Sequence, residues 1–325
     1  MVINERNMKM WSSIGSRATF GMVALELGKT TDDLMILTGD TSTSAGLERF
    51  KKAFPEKFLD VGIAEQNMLG IAAGLASEGF KVITSTFAPF QTMRCCEQIK
   101  VNLGYMRHKV CMVGLASGVV LGTLGYTHCS IEDVAVMRSI PGITVISPAD
   151  CVETVKATLA AVDHKESVYI RLTGGAKNPP VYSEDYDFEI GKANILREGN
   201  DVTIIAAGTM VYESLKVADI LHERGISATV VNMHTIKPID TSVIEKACKL
   251  SKLVVTVEEH STIGGLGSAV AEFKTTLKKS PPQIFIGLPD NYGSSGAYAY
   301  LLEKHGLTAE QIVERISNEY RLHSN

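Results

Sequence analysis

The 325-residue chain lacks the long apolar runs and the strong net charge that would assign it to several common classes of protein. No apolar run reaches the ~18 residues that a membrane-spanning helix requires. The N-terminal segment MVINERNMKMWSS has no apolar core before a cleavage site, so we expect no signal peptide. A net charge of -4 gives no indication of a nucleic-acid or membrane partner.

Cysteine is also scarce, and its spacing matches neither a disulfide framework nor a set of metal ligands. Two of the cysteines are adjacent, and adjacent cysteines rarely bridge each other. We therefore expect free thiols, a reducing cytoplasmic location and no metal site in this chain. The six cysteines are Cys95, Cys96, Cys111, Cys129, Cys151 and Cys248.

Short β-branched runs alternate with helical patterns along the chain, such as those over residues 66–77 and 90–101. This alternation predicts an α/β fold of two consecutive doubly wound units with mostly parallel sheets. The turn-rich segment 173–180, TGGAKNPP, and the polar YSEDYD after it mark the boundary. We expect one domain over residues 1–180 and another over residues 188–325. The strands are expected at residues 34–37, 81–85, 110–113, 144–146, 168–171, 202–206, 228–231, 253–257 and 283–286.

The most informative segment is VGIAEQNMLGIAAGLA, residues 61–76, in which Glu65 is the only charged residue. Its glycines and alanines have spacings that favour a tightly packed, buried helix. Burying an unpaired carboxylate is costly, so Glu65 must be paired, protonated or used in chemistry. On the residue alone, the simpler interpretation is a charge that complements the helix dipole.

At this segment the chain resembles the transketolase family of thiamine diphosphate enzymes. Residues 60–90, DVGIAEQNMLGIAAGLASEGFKVITSTFAPF, are similar to that family's pyrimidine-binding segment. Residues 127–150, THCSIEDVAVMRSIPGITVISPAD, are similar to its second signature. The two lie in the family's order, and the resemblance covers nearly the whole chain. It implies a pyrimidine-binding domain followed by a transketolase C-terminal domain.

The resemblance also implies which residues contact the cofactor. Glu65 would hydrogen-bond the ring nitrogen of the aminopyrimidine, and a carboxylate that shares its proton with this nitrogen suits the cofactor's carbanion chemistry. Phe87 would stack on the ring, with Phe90 and Ile63 beside it. His128 lies in a Gly-rich loop and would line the substrate channel, where it could donate a hydrogen bond or move a proton. Apart from the resemblance, the aromatic residues could simply close a core.

Three polar residues match the family's positions for an anionic substrate tail. Arg17 in GSRATFG, Ser44 in GDTSTSAG and Arg171 in YIRLTGG would together bind a phosphate or sulfonate through charge-assisted hydrogen bonds. Taken singly, each could equally be a surface residue or a salt-bridge partner.

Two positions depart from the family pattern. Leu124 stands where transketolases carry an aspartate that contacts a sugar hydroxyl, and Ala116 stands where they carry a histidine. A site without these groups should lose discrimination for the hydroxyl that they bind. We therefore expect a donor that is deoxygenated, branched or oppositely configured, or a reaction that starts from an oxoacid.

The family's diphosphate-binding domain has no counterpart in this sequence. Its mark is GDG followed by an asparagine, whereas Gly39-Asp40 is followed here by Thr41. The resemblance thus implies a split transketolase, in which a separate N-terminal subunit holds Mg²⁺ and the diphosphate. With that partner, in a dimer of heterodimers, the chain would transfer a two-carbon ketol unit from an anionic ketose to an aldose.

Two other interpretations stay open. One is a 2-oxoacid-decarboxylating thiamine enzyme, such as a deoxyxylulose-phosphate synthase relative or a 2-oxoacid dehydrogenase beta subunit, which Leu124 and Ala116 favour. The other is a non-catalytic protein that binds a nucleotide through Gly264, Gly265 and Gly267. The spacing GGxGxA is only a weak match to the dinucleotide fingerprint.

Overall fold

The computed structural model describes residues 1–323 as helices packed against two sheets. The strands are β1 Leu34–Thr38, β2 Phe58–Asp60, β3 Lys81–Phe87, β4 Val110–Leu115, β5 Ile143–Ile146, β6 Ser167–Arg171, β7 Asn194–Arg197, β8 Val202–Ala206, β9 Ala228–Asn232, β10 Thr235–Lys237, β11 Leu253–Ser261 and β12 Gln283–Leu288. The helices are α1 Glu5–Thr30, α2 Glu48–Ala53, α3 Glu65–Ser77, α4 Ala88–Gln91, α5 Cys96–Gln98, α6 Asp133–Ser139, α7 Cys151–Val162, α8 Met210–Glu223, α9 Thr241–Leu250, α10 Leu266–Lys274, α11 Tyr298–Lys304 and α12 Ala309–His323. A π-helical segment covers Ile99–Tyr105, and 3-10 turns cover Pro55–Lys57 and Gly122–Leu124.

The first sheet has seven strands in the order β10-β5-β6-β4-β3-β1-β2. All of its pairings are parallel except that of β10 with β5. Strands β4 and β6 are buried along their whole length, as expected of a parallel sheet covered on both faces. Apolar side chains of α1 and α7 pack on one face, and those of α3 pack on the other.

The second sheet has five strands in the order β12-β11-β8-β9-β7, and only β7 runs antiparallel to its neighbour. Helices α8 and α12 cover one face, and α9 and α10 cover the other. The two consecutive, mostly parallel α/β units confirm the predicted fold class. Within residues 1–323, no helix has both the length and the apolar character needed to cross a bilayer.

Strand β10 belongs to the second half of the chain but completes the edge of the first sheet. It pairs antiparallel with β5, with Thr235 opposite Ile146 and Lys237 opposite Val145. The ammonium group of Lys237 also donates to the carbonyl of Arg138 at 3.0 Å. The region expected to form the second domain therefore supplies a strand to the sheet of the first.

Helix α3 differs from the expected buried helix on one face. Met68, Ala72 and Ala73 are buried against the first sheet. Gly70 and Gly74, however, are exposed, with open space around the positions where a Cβ would be. The run of small residues thus gives α3 one packed face and one flat, exposed face.

Candidate active site

Glu65 is the first residue of α3, yet its side chain is only 3% exposed. It follows the carboxyl ends of the parallel strands β1 and β2, the edge at which α/β sheets usually bind ligands. Gly39 permits this close packing, because a Cβ there would lie 3.1 Å from Cγ of Glu65. Asp60 fixes the preceding turn by accepting hydrogen bonds from the backbone N–H groups of Asp40 and Gly62, each at 3.0 Å.

Arg94 is the charge partner of Glu65. Its Nη1 lies 2.8 Å from Oε1 of Glu65, and the Arg94 side chain is 40% exposed. The planar guanidinium also lies over the ring of Phe90, with Cζ 3.8 Å from the ring centroid. None of the sequence patterns described above singles out Arg94. A contact between residues 29 positions apart leaves no local periodicity that would predict it.

Phe90 connects the cluster around Glu65 to His128. Phe87 ends β3 and Phe90 lies in the short helix α4, with their ring centroids 6.3 Å apart and nearly perpendicular. The Phe90 ring also meets the imidazole of His128 edge to face, with ring centroids 5.4 Å apart. The structure thus brings Glu65, Phe87, Phe90 and His128 together. Ile63, beside Glu65 in sequence, is 77% exposed.

The loop before His128 carries Leu124, whose side chain is 57% exposed. The loop turns at Gly125, which has a positive φ of 79° that favours glycine. The Thr127 hydroxyl lies 3.0 Å from Nδ1 of His128 and so orients the ring. The loop therefore places an exposed leucine four residues before the half-buried His128.

Ala116 does not occupy an open position in the site. Its side chain is fully buried, and its φ of 53° lies in the left-handed region that side chains other than glycine rarely adopt. A larger side chain such as histidine would need additional space at this buried position. The left-handed backbone does not by itself exclude histidine, because alanine adopts it here and histidine is enriched in that region.

Arg17 and Ser44 line one small cavity of about 220 Å³ together with Gly15, Gly46 and Gly175. Gly15 interrupts α1 with a φ of 80°, and a Cβ there would lie 2.6 Å from the carbonyl oxygen of Gly175. Partial burial lowers the pKa of Arg17 from its usual value. The guanidinium still carries its positive charge near neutral pH. The cavity offers a cation and a hydroxyl to an anion.

Arg171 does not join this cavity. Its side chain is 3% exposed, and its Nε lies 2.8 Å from Oδ2 of the buried Asp133. The terminal nitrogens donate to the Thr173 hydroxyl at 3.1 Å and to the carbonyls of Ser130 and Glu259 at 3.2 and 2.8 Å. These contacts favour a structural role for Arg171, and its expected role in substrate binding stays a prediction. Its guanidinium fixes the end of β6 to α6 and β11 inside the protein.

The Gly-rich loop of the second unit holds the chain's own carboxylate. Glu258 accepts hydrogen bonds from the N–H groups of Leu266 and Gly267, at 2.7 and 2.8 Å. These groups open α10, where a nucleotide phosphate would otherwise bind. A Cβ on Gly265 would lie 2.1 Å from Oε2 of Glu258, so glycine is needed there for packing. The nucleotide-binding interpretation is not supported.

In residues 1–323, no cluster of three or more His, Cys, Asp or Glu residues is arranged to hold a metal ion.

The chain matches two family models. The model described as "Transketolase, pyrimidine binding domain" covers residues 12–177, and the model described as "Transketolase, C-terminal domain" covers residues 191–312. A solved chain described as "Split gene transketolase, inactive beta4 tetramer" superimposes with a TM-score of 0.85 at 38% identity, over 96% of this chain and 99% of that one.

Two relatives are similar to this chain over more than nine tenths of both sequences, and a third is much longer than this chain. An apulose-4-phosphate transketolase subunit of Phocaeicola vulgatus is 42% identical over 92% of this chain and 95% of the relative. The 6-deoxy-6-sulfo-D-fructose transketolase subunit SqwH of a Clostridium species is 41% identical over 91% of this chain and 92% of the relative. The 1-deoxy-D-xylulose-5-phosphate synthase of Desulforudis audaxviator is 33% identical, and this chain spans only 48% of its length.

Proposed function

The chain belongs to the transketolase family, and on this premise we propose how it works as a subunit of a thiamine diphosphate-dependent transketolase. Such an enzyme transfers a two-carbon ketol unit from a ketose to an aldose. We propose that this chain supplies the pyrimidine-binding side of the active site. A separate subunit supplies the residues that hold Mg²⁺ and the diphosphate. Mg²⁺ is usually bound by one or two carboxylates together with phosphate oxygens.

One observation carries the proposal. A planar cation, the Arg94 guanidinium, is held between the buried carboxylate of Glu65 at 2.8 Å and the face of Phe90 at 3.8 Å. The guanidinium stands in for another flat group that donates hydrogen bonds, the protonated aminopyrimidine ring of the cofactor. A site that holds one such group through a carboxylate and an aromatic face fits the other. The residues present therefore fit the aminopyrimidine ring of thiamine diphosphate.

The side chains of this cluster divide the work. When bound, thiamine diphosphate supplies the carbon atom that takes up the two-carbon unit. Glu65 accepts the hydrogen bond of the pyrimidine and holds a proton at its ring nitrogen. Phe87 and Phe90 support the flat ring and exclude water from the Glu65 carboxylate, with Ile63 beside them. The His128 imidazole, whose ring centroid lies 5.4 Å from that of Phe90, donates to, or takes a proton from, the oxygens of the sugar.

The donor is proposed to be an anionic ketose whose tail reaches Arg17 and Ser44. A cation and a hydroxyl at one cavity suit phosphate and sulfonate alike. Two relatives are named for such donors, apulose 4-phosphate and 6-deoxy-6-sulfo-D-fructose. The exposed, apolar Leu124 makes the site tolerant of a donor that lacks the hydroxyl an aspartate would bind.

The central experiment compares Glu65→Gln with native enzyme after each is co-purified with the partner subunit. The amide keeps the size of the side chain but cannot share a proton with the ring, so turnover should fall by ~10²–10³-fold or more, as when one oxyanion donor is removed. Glu56→Gln, an exposed change of the same type, is the matched control and should remain fully active.

Product mass identifies the reaction. The donors are apulose 4-phosphate, 6-deoxy-6-sulfofructose and xylulose 5-phosphate, each offered with ribose 5-phosphate, and pyruvate is offered with glyceraldehyde 3-phosphate. We expect ketol transfer from at least one ketose. Release of carbon dioxide from pyruvate without ketol transfer would favour the oxoacid reaction instead. Normal turnover by Glu65→Gln would contradict the role given to this carboxylate.

A further inference from the structure

The second unit of the chain contacts the loop that carries Leu124 and His128. The backbone N–H of Gly296, just before α11, donates to the carbonyl of Gly122 at 3.0 Å. A Cβ on Gly122 would lie 2.1 Å from Cδ1 of Leu301 in α11, so the 3-10 turn lies directly against this helix. One end of the loop is therefore fixed by main-chain contact with the second unit.

The middle of the same loop is fixed by one side chain, that of Tyr126. Its hydroxyl lies 3.1 Å from Nε2 of His305, at the end of α11. Its ring lies 5.4 Å from the ring of Tyr292. Gly293 completes the enclosure, because a Cβ there would approach the Tyr126 hydroxyl to 2.9 Å. We name these four residues, Tyr126, Tyr292, Gly293 and His305, the tyrosine clamp.

The protonation states in the tyrosine clamp suit a donating phenol. Burial lowers the pKa of His305 from its usual value and raises that of Tyr126. A neutral imidazole can accept at Nε2 while the phenol keeps its proton to donate. The carboxylate of Glu132 raises the pKa of Tyr292 from its usual value, so this phenol also keeps its proton.

The position of His128 depends on this clamp through a short path of bonds. Tyr126 lies inside a tight turn, in which the N–H groups of His128 and Cys129 donate to the carbonyl of Gly125 at 3.0 and 3.1 Å. Fixing the Tyr126 ring fixes this turn, and the turn sets where the imidazole meets Phe90. The exposed Leu124 ends the 3-10 turn Gly122–Leu124, which leads directly into this turn at Gly125.

We propose that Tyr126 and His305 are positioning residues, through which the C-terminal unit holds His128 and Leu124 in register with the donor sugar. The proposal rests on the proposed function, since it concerns the same active site. It assigns the C-terminal unit a part in the reaction. It also assigns to Tyr126 and His305 an influence on the choice of donor, which they exert without touching the sugar.

The test uses the assembled enzyme, with partner subunit, thiamine diphosphate and Mg²⁺, and the three ketose donors above. Tyr126→Phe and His305→Leu remove one hydrogen bond each, so kcat should fall by about 2- to 12-fold. His305→Gln keeps an acceptor at similar reach and should restore most of the activity. The affinity for thiamine diphosphate should not change in any of the three. Tyr105→Phe removes the hydroxyl of an 85% exposed ring and is the matched control.

A second readout does not depend on activity. In Tyr126→Phe and His305→Leu, amide hydrogen exchange should accelerate over residues 122–128, while the strands of both sheets keep native protection. An unchanged kcat in Tyr126→Phe would overturn the proposal, whether or not the melting temperature falls. If native enzyme used none of the ketoses, the proposed function would fail, and the exchange data would still decide. Faster exchange confined to residues 122–128 would support the clamp, and native exchange there would overturn it.

Discussion

Arg171→Met tests whether this arginine stabilises the fold or contacts the substrate. The substitution removes a guanidinium whose Nε is 2.8 Å from a carboxylate oxygen of Asp133. Asp133 is fully buried, and its Oδ2 also accepts a hydrogen bond from the Tyr169 hydroxyl at 2.7 Å. The imidazole Nε2 of His260 lies 4.0 Å from its Oδ1. Methionine is shorter than arginine but fills much of the same volume without the guanidinium charge, so the main loss is electrostatic.

The magnitude follows from the charge left behind. Removing one partner of a buried ion pair costs about 3–5 kcal/mol, because the other charge remains in a poorly solvating interior. The carbonyls of Ser130 and Glu259 also lose a donor each. We therefore expect the free energy of unfolding to fall by about 3–5 kcal/mol. The double variant Asp133→Asn/Arg171→Met should recover most of this loss, since it removes the unpaired charge.

Urea unfolding followed by circular dichroism measures the loss, and donor KM is measured on enzyme that remains folded. Arg17→Met is the matched control, with the same change at a half-buried arginine that lines the proposed anion cavity. We expect Arg17→Met to raise donor KM at nearly native stability. The reasoning is wrong if Arg171→Met shows the opposite pattern, with native stability and a raised donor KM.

Three further predictions concern the cofactor and the donor. The isolated chain should be inactive and bind thiamine diphosphate weakly, and tight stoichiometric binding in calorimetry without a partner would refute the split-enzyme proposal. Arg94→Met should lower the dissociation constant of the cofactor in the assembled enzyme by about 5-fold. The substitution removes a group that competes with the cofactor for Glu65 through a partly exposed ion pair. Weaker binding would mean that Arg94 contacts the cofactor. Leu124→Asp should shift kcat/KM toward xylulose 5-phosphate by about 10-fold relative to the native donor, and equal losses on all donors would point to damaged packing instead.

Much of the fold could be predicted from the sequence because fully buried parallel strands leave a continuous apolar run. Residues 202–206 were expected as a strand, and β8 has these bounds. Strands β2, β7 and β10 were not predicted, because they are short or lie at sheet edges and so lack a continuous apolar run. The helix expected over residues 90–101 is instead divided among α4, α5 and a π-helical segment. This irregular backbone places Phe90 and Arg94 beside Glu65.

The site was predictable only where a residue type carries its own signal. Glu65, in an otherwise neutral run, and His128, in a Gly-rich loop, could both be singled out. Pairings between distant segments could not, because each partner alone resembles an ordinary surface charge. Arg171 was thus expected at the substrate, while its partner Asp133 lies 38 positions away in the chain. Glu258, which fills the Gly-rich loop, is a similar case.

The antiparallel strand β10 constrains where a gene encoding this fold can be divided. Cutting the chain near residue 187 would take β10 from the first sheet and leave β5 as an unpaired edge, which invites association with other strands. The hydrophobic cluster that joins Leu37 to Val231 and Met233 would also be opened to water. Within residues 1–323, we therefore expect the two units to fold as one piece, and a chain divided between them to be less stable than the undivided chain.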